Sequence, residues 1–106
     1  MAVRLSTDDD YQKLLNDNPK VIIKYFADWC GSCKLFAPKY RRLSEDQRFE
    51  KTLFLEVNAE NDRQARKSAG VDNLPYFAVF KDGQLINGKA TSKEEVVLDM
   101  LHELTS

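Results

Sequence analysis

Two residues can carry covalent chemistry, Cys30 and Cys33, in the segment Trp29-Cys30-Gly31-Ser32-Cys33-Lys34. The apolar run Val21-Ile22-Ile23-Lys24-Tyr25-Phe26 precedes them, and a helical pattern follows. The pair is therefore expected at a helix N-terminus, where unpaired N–H groups and the positive dipole end favour thiolate over thiol. The C-x-x-C spacing lets the second sulfur reach the first across one turn, so the two can cycle between dithiol and disulfide. Three other uses compete. Half a zinc site needs further ligands, but the one histidine, His102, lies far along the chain and outside any H-x-x-x-H pair; no metal is expected. A purely structural bridge would close a very short loop and hold little together. Two inert thiols at chance spacing are the third. The redox reading is preferred.

The elements that position this pair follow from the patterning. Val3 to Leu5 reads as a short strand. Ser6 and Thr7 ahead of Asp8, Asp9 and Asp10 suit a helix start, with acids in the first turn. Tyr11, Leu14 and Leu15 share one helical face, and Asn16-Asp17-Asn18-Pro19 ends that helix. The run from Val21 to Phe26 does not alternate, as in a strand covered on both faces; Lys24 is its one anomaly. From Cys30 to about Ser44, Leu35, Phe36, Tyr40 and Leu43 are expected to face the core, with Pro38 kinking the helix.

Thr52 to Asn58 is the next strand, and Asp62 to Ala69 a short helix with Gly70 at its end. Tyr76 to Phe80 is a strand, Asp82-Gly83 a hairpin turn, and Gln84 to Asn87 the return. Ser92-Lys93-Glu94-Glu95 has the form of a capping box ahead of a stripe of Val96, Val97, Met100, Leu101 and Leu104. The order β-α-β-α-β-α-β-β-α predicts an α/β fold, with a central mixed β-sheet flanked by helices on both faces.

A chain of 106 residues has room for one domain, taken as 1–106. Leu, Ile, Val and Phe supply about a quarter of it, too much for a disordered chain. Sixteen basic residues against 17 acidic give a net charge of −1, so neither a nucleic-acid footprint nor a polybasic membrane patch is expected. The charges are mixed along the sequence, and no partner's charge is read from them. No run is long and apolar enough for a membrane helix. The first residues carry no secretory-signal pattern, so the cytoplasm is the expected location, although a removed signal peptide would leave the same picture.

Phe26-Ala27-Asp28-Trp29-Cys30-Gly31-Ser32-Cys33-Lys34, then Pro38, then Gly70-Val71-Asp72-Asn73-Leu74-Pro75, then Phe80-Lys81-Asp82-Gly83 together resemble the thioredoxin family in order and spacing. The resemblance runs over nearly the whole chain. It implies the thioredoxin-like fold and a protein-disulfide reductase with no bound cofactor, working through a redox-active Cys30–Cys33 disulfide. Cys30 would be the exposed attacking thiolate and Cys33 the buried resolving thiol. Pro75 would be the family's cis-proline, with the backbone of Leu74 pairing an extended substrate. Trp29, Gly31 and Ser32 would border that substrate. Protein disulfides are the implied substrates, a flavin- and NADPH-dependent thioredoxin reductase the implied electron donor, and a monomer the implied state. Oxidase or isomerase action, and a non-enzymatic binding module, are the alternatives on the same fold.

Three departures from the family pattern stand out. Ser32 replaces a proline, restoring an N–H and adding a hydroxyl able to bond a thiolate. A reduction potential less negative than the roughly −270 mV of ordinary thioredoxin is expected. Lys24 stands where the family buries an aspartate, and Glu56 where it has a lysine. A charge-swapped buried pair is expected, hydrogen-bonded to offset its desolvation and placed to tune the sulfurs or move the proton of Cys33. Gly88 arrives about three residues early and Tyr76 follows Pro75 in place of a threonine, which leaves the groove wall and the docking of a standard reductase undefined.

Overall fold

A computed structural model describes residues 3–105. The elements are β1 (Val3–Leu5), α1 (Tyr11–Asp17), β2 (Lys20–Phe26), α2 (Gly31–Ser44), a 3₁₀ turn (Gln47–Phe49), β3 (Leu53–Asn58), α3 (Arg63–Ala69), β4 (Tyr76–Lys81), β5 (Gln84–Ala90) and α4 (Glu94–Thr105). The sheet order is β1-β3-β2-β4-β5. β3 runs parallel to β1 and β2, whereas β4 is antiparallel to β2 and β5. Parallel neighbours need a crossover, and the helices supply it. This is the thioredoxin fold.

β2 lies at the centre, which is why its apolar run does not alternate. Val21, Ile23 and Tyr25 pack with Tyr11 and Leu15 of α1 and Ala65 and Ala69 of α3. Ile22, of the other parity, packs with Phe36, Tyr40 and Leu43 of α2 and Val97, Met100, Leu101 and Leu104 of α4. Period two then puts Lys24 on the α2 side. Each fully buried large apolar side chain contributes about 1.5–3 kcal/mol.

Leu35 corrects the expected core stripe of α2: it is 79 % exposed. Cys33, Phe36, Tyr40 and Leu43 define the buried side. Leu35 lies two residues after Cys33, a rotation of about 200°, and one before Phe36, about 100°, which turns it toward solvent. The helix continues through Pro38, with Arg41 and Arg42 in its last turn complementing the negative dipole end.

The aspartates before α1 also differ from expectation. α1 starts at Tyr11 with no acid in its first turn. Asp10 instead closes a local loop, accepting from Ser6 Oγ at 2.7 Å and Thr7 N–H at 2.9 Å. The Thr7 bond, more than any other influence, holds its carboxyl below the usual value. Asp8 reaches across to α3, where its carboxylate accepts from the N–H groups of Gln64 (3.2 Å) and Ala65 (2.8 Å). In return, Asp8 N–H donates to Asp62 Oδ1 at 3.0 Å. Asp62 makes no side-chain cap of its own, so Asp8 satisfies the orphan donors of a helix more than fifty residues away.

In the β4–β5 hairpin, Asp82 and Gly83 both take positive φ, 52° and 81°. Two left-handed central residues match the right-handed twist of the flanking strands. β5 runs on to Ala90, beyond the expected Asn87. Ahead of α4, Lys93 N–H is held by Thr91 Oγ1 at 3.1 Å.

Candidate active site

Cys30 closes β2's exit loop and caps α2. Its backbone is extended and its Sγ accepts the Cys33 N–H at 3.2 Å. Cys30 and Cys33 form a disulfide with Cα atoms 5.3 Å apart. Ser32 Oγ lies 3.6 Å from Cys30 Sγ. The amide, the hydroxyl and the helix dipole all point at one sulfur, the arrangement that would hold it as a thiolate once the bridge opens.

The expected exposure of Cys30 is not met in this oxidised form, where it is 4 % exposed against 2 % for Cys33. The bridged sulfurs pack with Ala27, and Phe26 and Leu74 close over them. The accessible surface at this end belongs to the exposed Trp29, Gly31 and Ser32. The Leu74–Pro75 peptide bond is cis. Leu74 N–H is taken by Asn73 Oδ1 at 2.9 Å, and Pro75 O accepts from Thr91 N–H at 3.1 Å. The Leu74 N–H is thus already satisfied within the chain.

Thr91, rather than Gly88, is the residue bonded to Pro75. Tyr76 points away from the sulfurs, donating from its hydroxyl to Ala69 O at 3.1 Å and meeting the Tyr25 ring edge-on. A Cβ on Gly88 would collide with the Tyr76 ring and hydroxyl. The early glycine thus makes room for Tyr76, whose register partner on β5 is Ala90.

Lys24 and Glu56 are register partners on β2 and β3. Lys24 is 3 % exposed and Glu56 half-buried. The expected hydrogen-bonded pair is absent: among the described residues the ion pairs are Arg4–Asp10, Lys13–Asp17 and Arg48–Asp46. Both side chains instead line a cleft of about 180 Å³, together with Phe26, Ala27, Asp28, Cys33, Lys34 and Ala37. The open cleft leaves the amine room to stand off from the carboxylate. Desolvation pushes the Lys24 amine below the ordinary lysine value; Glu56 opposes this and Arg41 adds to it. Lys24 Nζ lies 5.8 Å from the centre of the Tyr40 ring.

Tyr40 stands out in the sequence only as a member of a core stripe. Its hydroxyl donates toward Ile22 O at 3.2 Å and Leu55 O at 2.7 Å, tying α2 to the two strands that carry Lys24 and Glu56. Burial, helped by Glu56, raises its pKa well above the usual range, so it stays neutral.

Among the described residues, no group of three or more His, Cys, Asp and Glu side chains is placed to hold a metal, and no helix is long and apolar enough to cross a membrane.

A family model described as Thioredoxin matches residues 2–103. A thioredoxin-like protein of Fusarium culmorum is 35 % identical over 96 residues, covering 88 % of this chain and 79 % of that one. Thioredoxin f from spinach chloroplast superposes with a TM-score of 0.92 at 23 % identity, covering 99 % and 95 % of the two chains. A chain from a complex of ferredoxin:thioredoxin reductase and thioredoxin f2 gives 0.87 at 26 % identity, covering 99 % and 96 %.

Proposed function

The chain belongs to the thioredoxin family and is a thiol–disulfide oxidoreductase, and on that premise we propose how its residues divide the work. Cys30 is the nucleophile. Its thiolate attacks one sulfur of a protein disulfide, the other substrate sulfur leaves as a thiolate, and a mixed disulfide forms. Cys33 then gives up its proton and attacks Cys30 Sγ, releasing the second substrate thiol. The substrate gains two electrons, and the chain is left with the Cys30–Cys33 bridge. A flavin- and NADPH-dependent thioredoxin reductase returns the electrons. The similarity to a chain from a ferredoxin:thioredoxin reductase–thioredoxin f2 complex supports a reductase as partner, although the reductase of that complex is named for ferredoxin; the flavin and NADPH rest on the family resemblance.

The observation that carries this reading is the Cys33 N–H directed at Cys30 Sγ at the start of α2. Substrate lies across Trp29, Gly31, Ser32, Leu74 and Pro75, with its backbone beside Leu74. Lys24 and Glu56 act on Cys33 through the cleft they share with it. A neutral Lys24 amine, or the Glu56 carboxylate, takes the resolving proton through solvent in that cleft. The cytoplasm is the setting in which such a cycle runs as net reduction.

The test is insulin reduction with dithiothreitol, followed by turbidity. Wild type should accelerate it and Cys30→Ser should fall to the uncatalysed rate; equal acceleration by both removes Cys30 from the chemistry. The oxidase direction is favoured by one contact, the Ser32 hydroxyl beside Cys30 Sγ. Equilibration against glutathione should give a potential above roughly −270 mV, shifting downward in Ser32→Pro. No shift in that variant removes Ser32 from the tuning.

A further inference from the structure

The charges that cancel along the sequence separate in space, and they do so around the disulfide. α2 carries Lys34, Lys39, Arg41 and Arg42 and no acidic residue. All four are exposed, and none enters an ion pair of 4 Å or less among the described residues. At 3.6 residues per turn, Lys34, Pro38, Arg41 and Arg42 fall opposite the buried Phe36, Tyr40 and Leu43. α4 packs on the same face of the sheet, yet carries Glu94, Glu95, Asp99 and Glu103 with no lysine or arginine. That side of the molecule therefore bears a directed field, positive over the helix whose first turn holds the reactive sulfurs.

Helix stability does not explain the pattern. Arg41 and Arg42 complement the C-terminal dipole, but Lys34 stands in the first turn, where a cation is disfavoured. Beside it, Leu35 is 79 % and Trp29 68 % exposed. Ser32, Leu35, Phe36, Lys39 and Ser92 line a hollow of about 170 Å³ next to the bridge. An unpaired cationic face, apolar contacts at its active-site end and a hollow of side-chain size suit one kind of occupant.

We propose that the outer face of α2 is a docking surface for an acidic segment of the client protein, which lies along Lys34, Lys39 and Arg42 with apolar contact to Leu35 and delivers its disulfide to Cys30. The proposal rests on the oxidoreductase reading above and adds client selection to it. Charge complementarity raises the encounter rate and makes it salt-dependent, while like charges deter the wrong partner.

The test compares two peptide disulfides identical except for a flanking run of glutamates or of lysines. For wild type at low salt, kcat/KM should favour the glutamate peptide about tenfold, and the preference should shrink toward unity at about 0.5 M salt. The readout is the ratio of the two rate constants within each variant, so a general loss of turnover cancels. Lys39→Glu with Arg42→Glu should abolish or invert that ratio. Arg63→Glu with Lys67→Glu, an equal charge change on α3, should leave it intact.

Emission from Trp29, the single tryptophan, gives a second readout with cysteine-free peptides. It separates docking from turnover: if neither disulfide peptide is reduced but the glutamate peptide still shifts Trp29, docking stands and the thiol chemistry falls. Equal rates for both peptides in wild type overturn the proposal, as does a preference that survives Lys39→Glu with Arg42→Glu. A dimer in sedimentation that dissolves in that variant would assign α2 to a second copy of the chain. A single-stranded oligonucleotide that shifts Trp29 more tightly than the glutamate peptide would assign it to nucleic acid. Either result overturns the proposal.

Discussion

β2 separates two regions built from alternate residues of one strand. On the α1/α3 side, the polar groups that enter the core are matched. Tyr25 donates to Ala65 O at 3.0 Å, Tyr76 donates to Ala69 O, and Asp8 occupies the amides that open α3. On the α2/α4 side, one residue along, Lys24 is nearly as buried and has no hydrogen-bond partner among the described residues. It lines a cleft that Cys33 also lines. A buried charge left without a close partner costs several kcal/mol unless it sheds its proton. One region is organised to hold, the other to change protonation and bonding.

The contrast can be broken in three ways. The largest effect should come from Phe77→Ala. This ring, 0 % exposed, packs against Phe36 at 5.0 Å and Tyr40 at 5.7 Å between centroids. Its loss should cost about 3–5 kcal/mol in urea unfolding; a cost below about 1 kcal/mol would mean the reactive side contributes little to the core. Asp8→Ala should cost about 1 kcal/mol, the value of a lost helix cap, and leave the alkylation rate of reduced Cys30 unchanged. A changed thiol rate there would show that the two regions are not separate.

Lys24→Met has an effect on stability no larger than that of Asp8→Ala, and of the opposite sign. Removing a desolvated amine while keeping its volume should raise stability at neutral pH, by about 1 kcal/mol, and slow resolution of the mixed disulfide. The pH trend follows from the direction of the shift. The folded chain binds the Lys24 proton less readily than the unfolded chain, so unfolding takes up a proton between the depressed value and 10.5. Wild type therefore gains stability as pH rises through that window, and the advantage of Lys24→Met should narrow toward pH 10.5. A gap that widens with pH would mean that the amine is stabilised when charged.

The central strand, the cap at Cys30 and the hairpin at Asp82-Gly83 were legible because each is set by neighbours within a few residues. Parity along β2 even assigns Lys24 its side of the sheet. What the chain order concealed was set at a distance. Asp8 has the composition of a local helix start, yet its carboxylate is claimed by Ala65. Leu35 fits a helical stripe until Cys33, Phe36 and Tyr40 fix the rotation of α2. Lys24 and Glu56 are neighbours in register, as the swapped charges suggested, but a cleft rather than a hydrogen bond joins them. Residue sums also hide the opposite signs of α2 and α4, because net charge discards position.

The exchange between Asp8 and the start of α3 imposes an order on biosynthesis. During synthesis Asp8 finds the groups it bonds only at Asp62, Gln64 and Ala65, and β1 finds its neighbour only in β3. Until those later residues have been made, β1 and Asp8 lack the partners they hold in the fold. They become fixed only when the later half of the domain arrives.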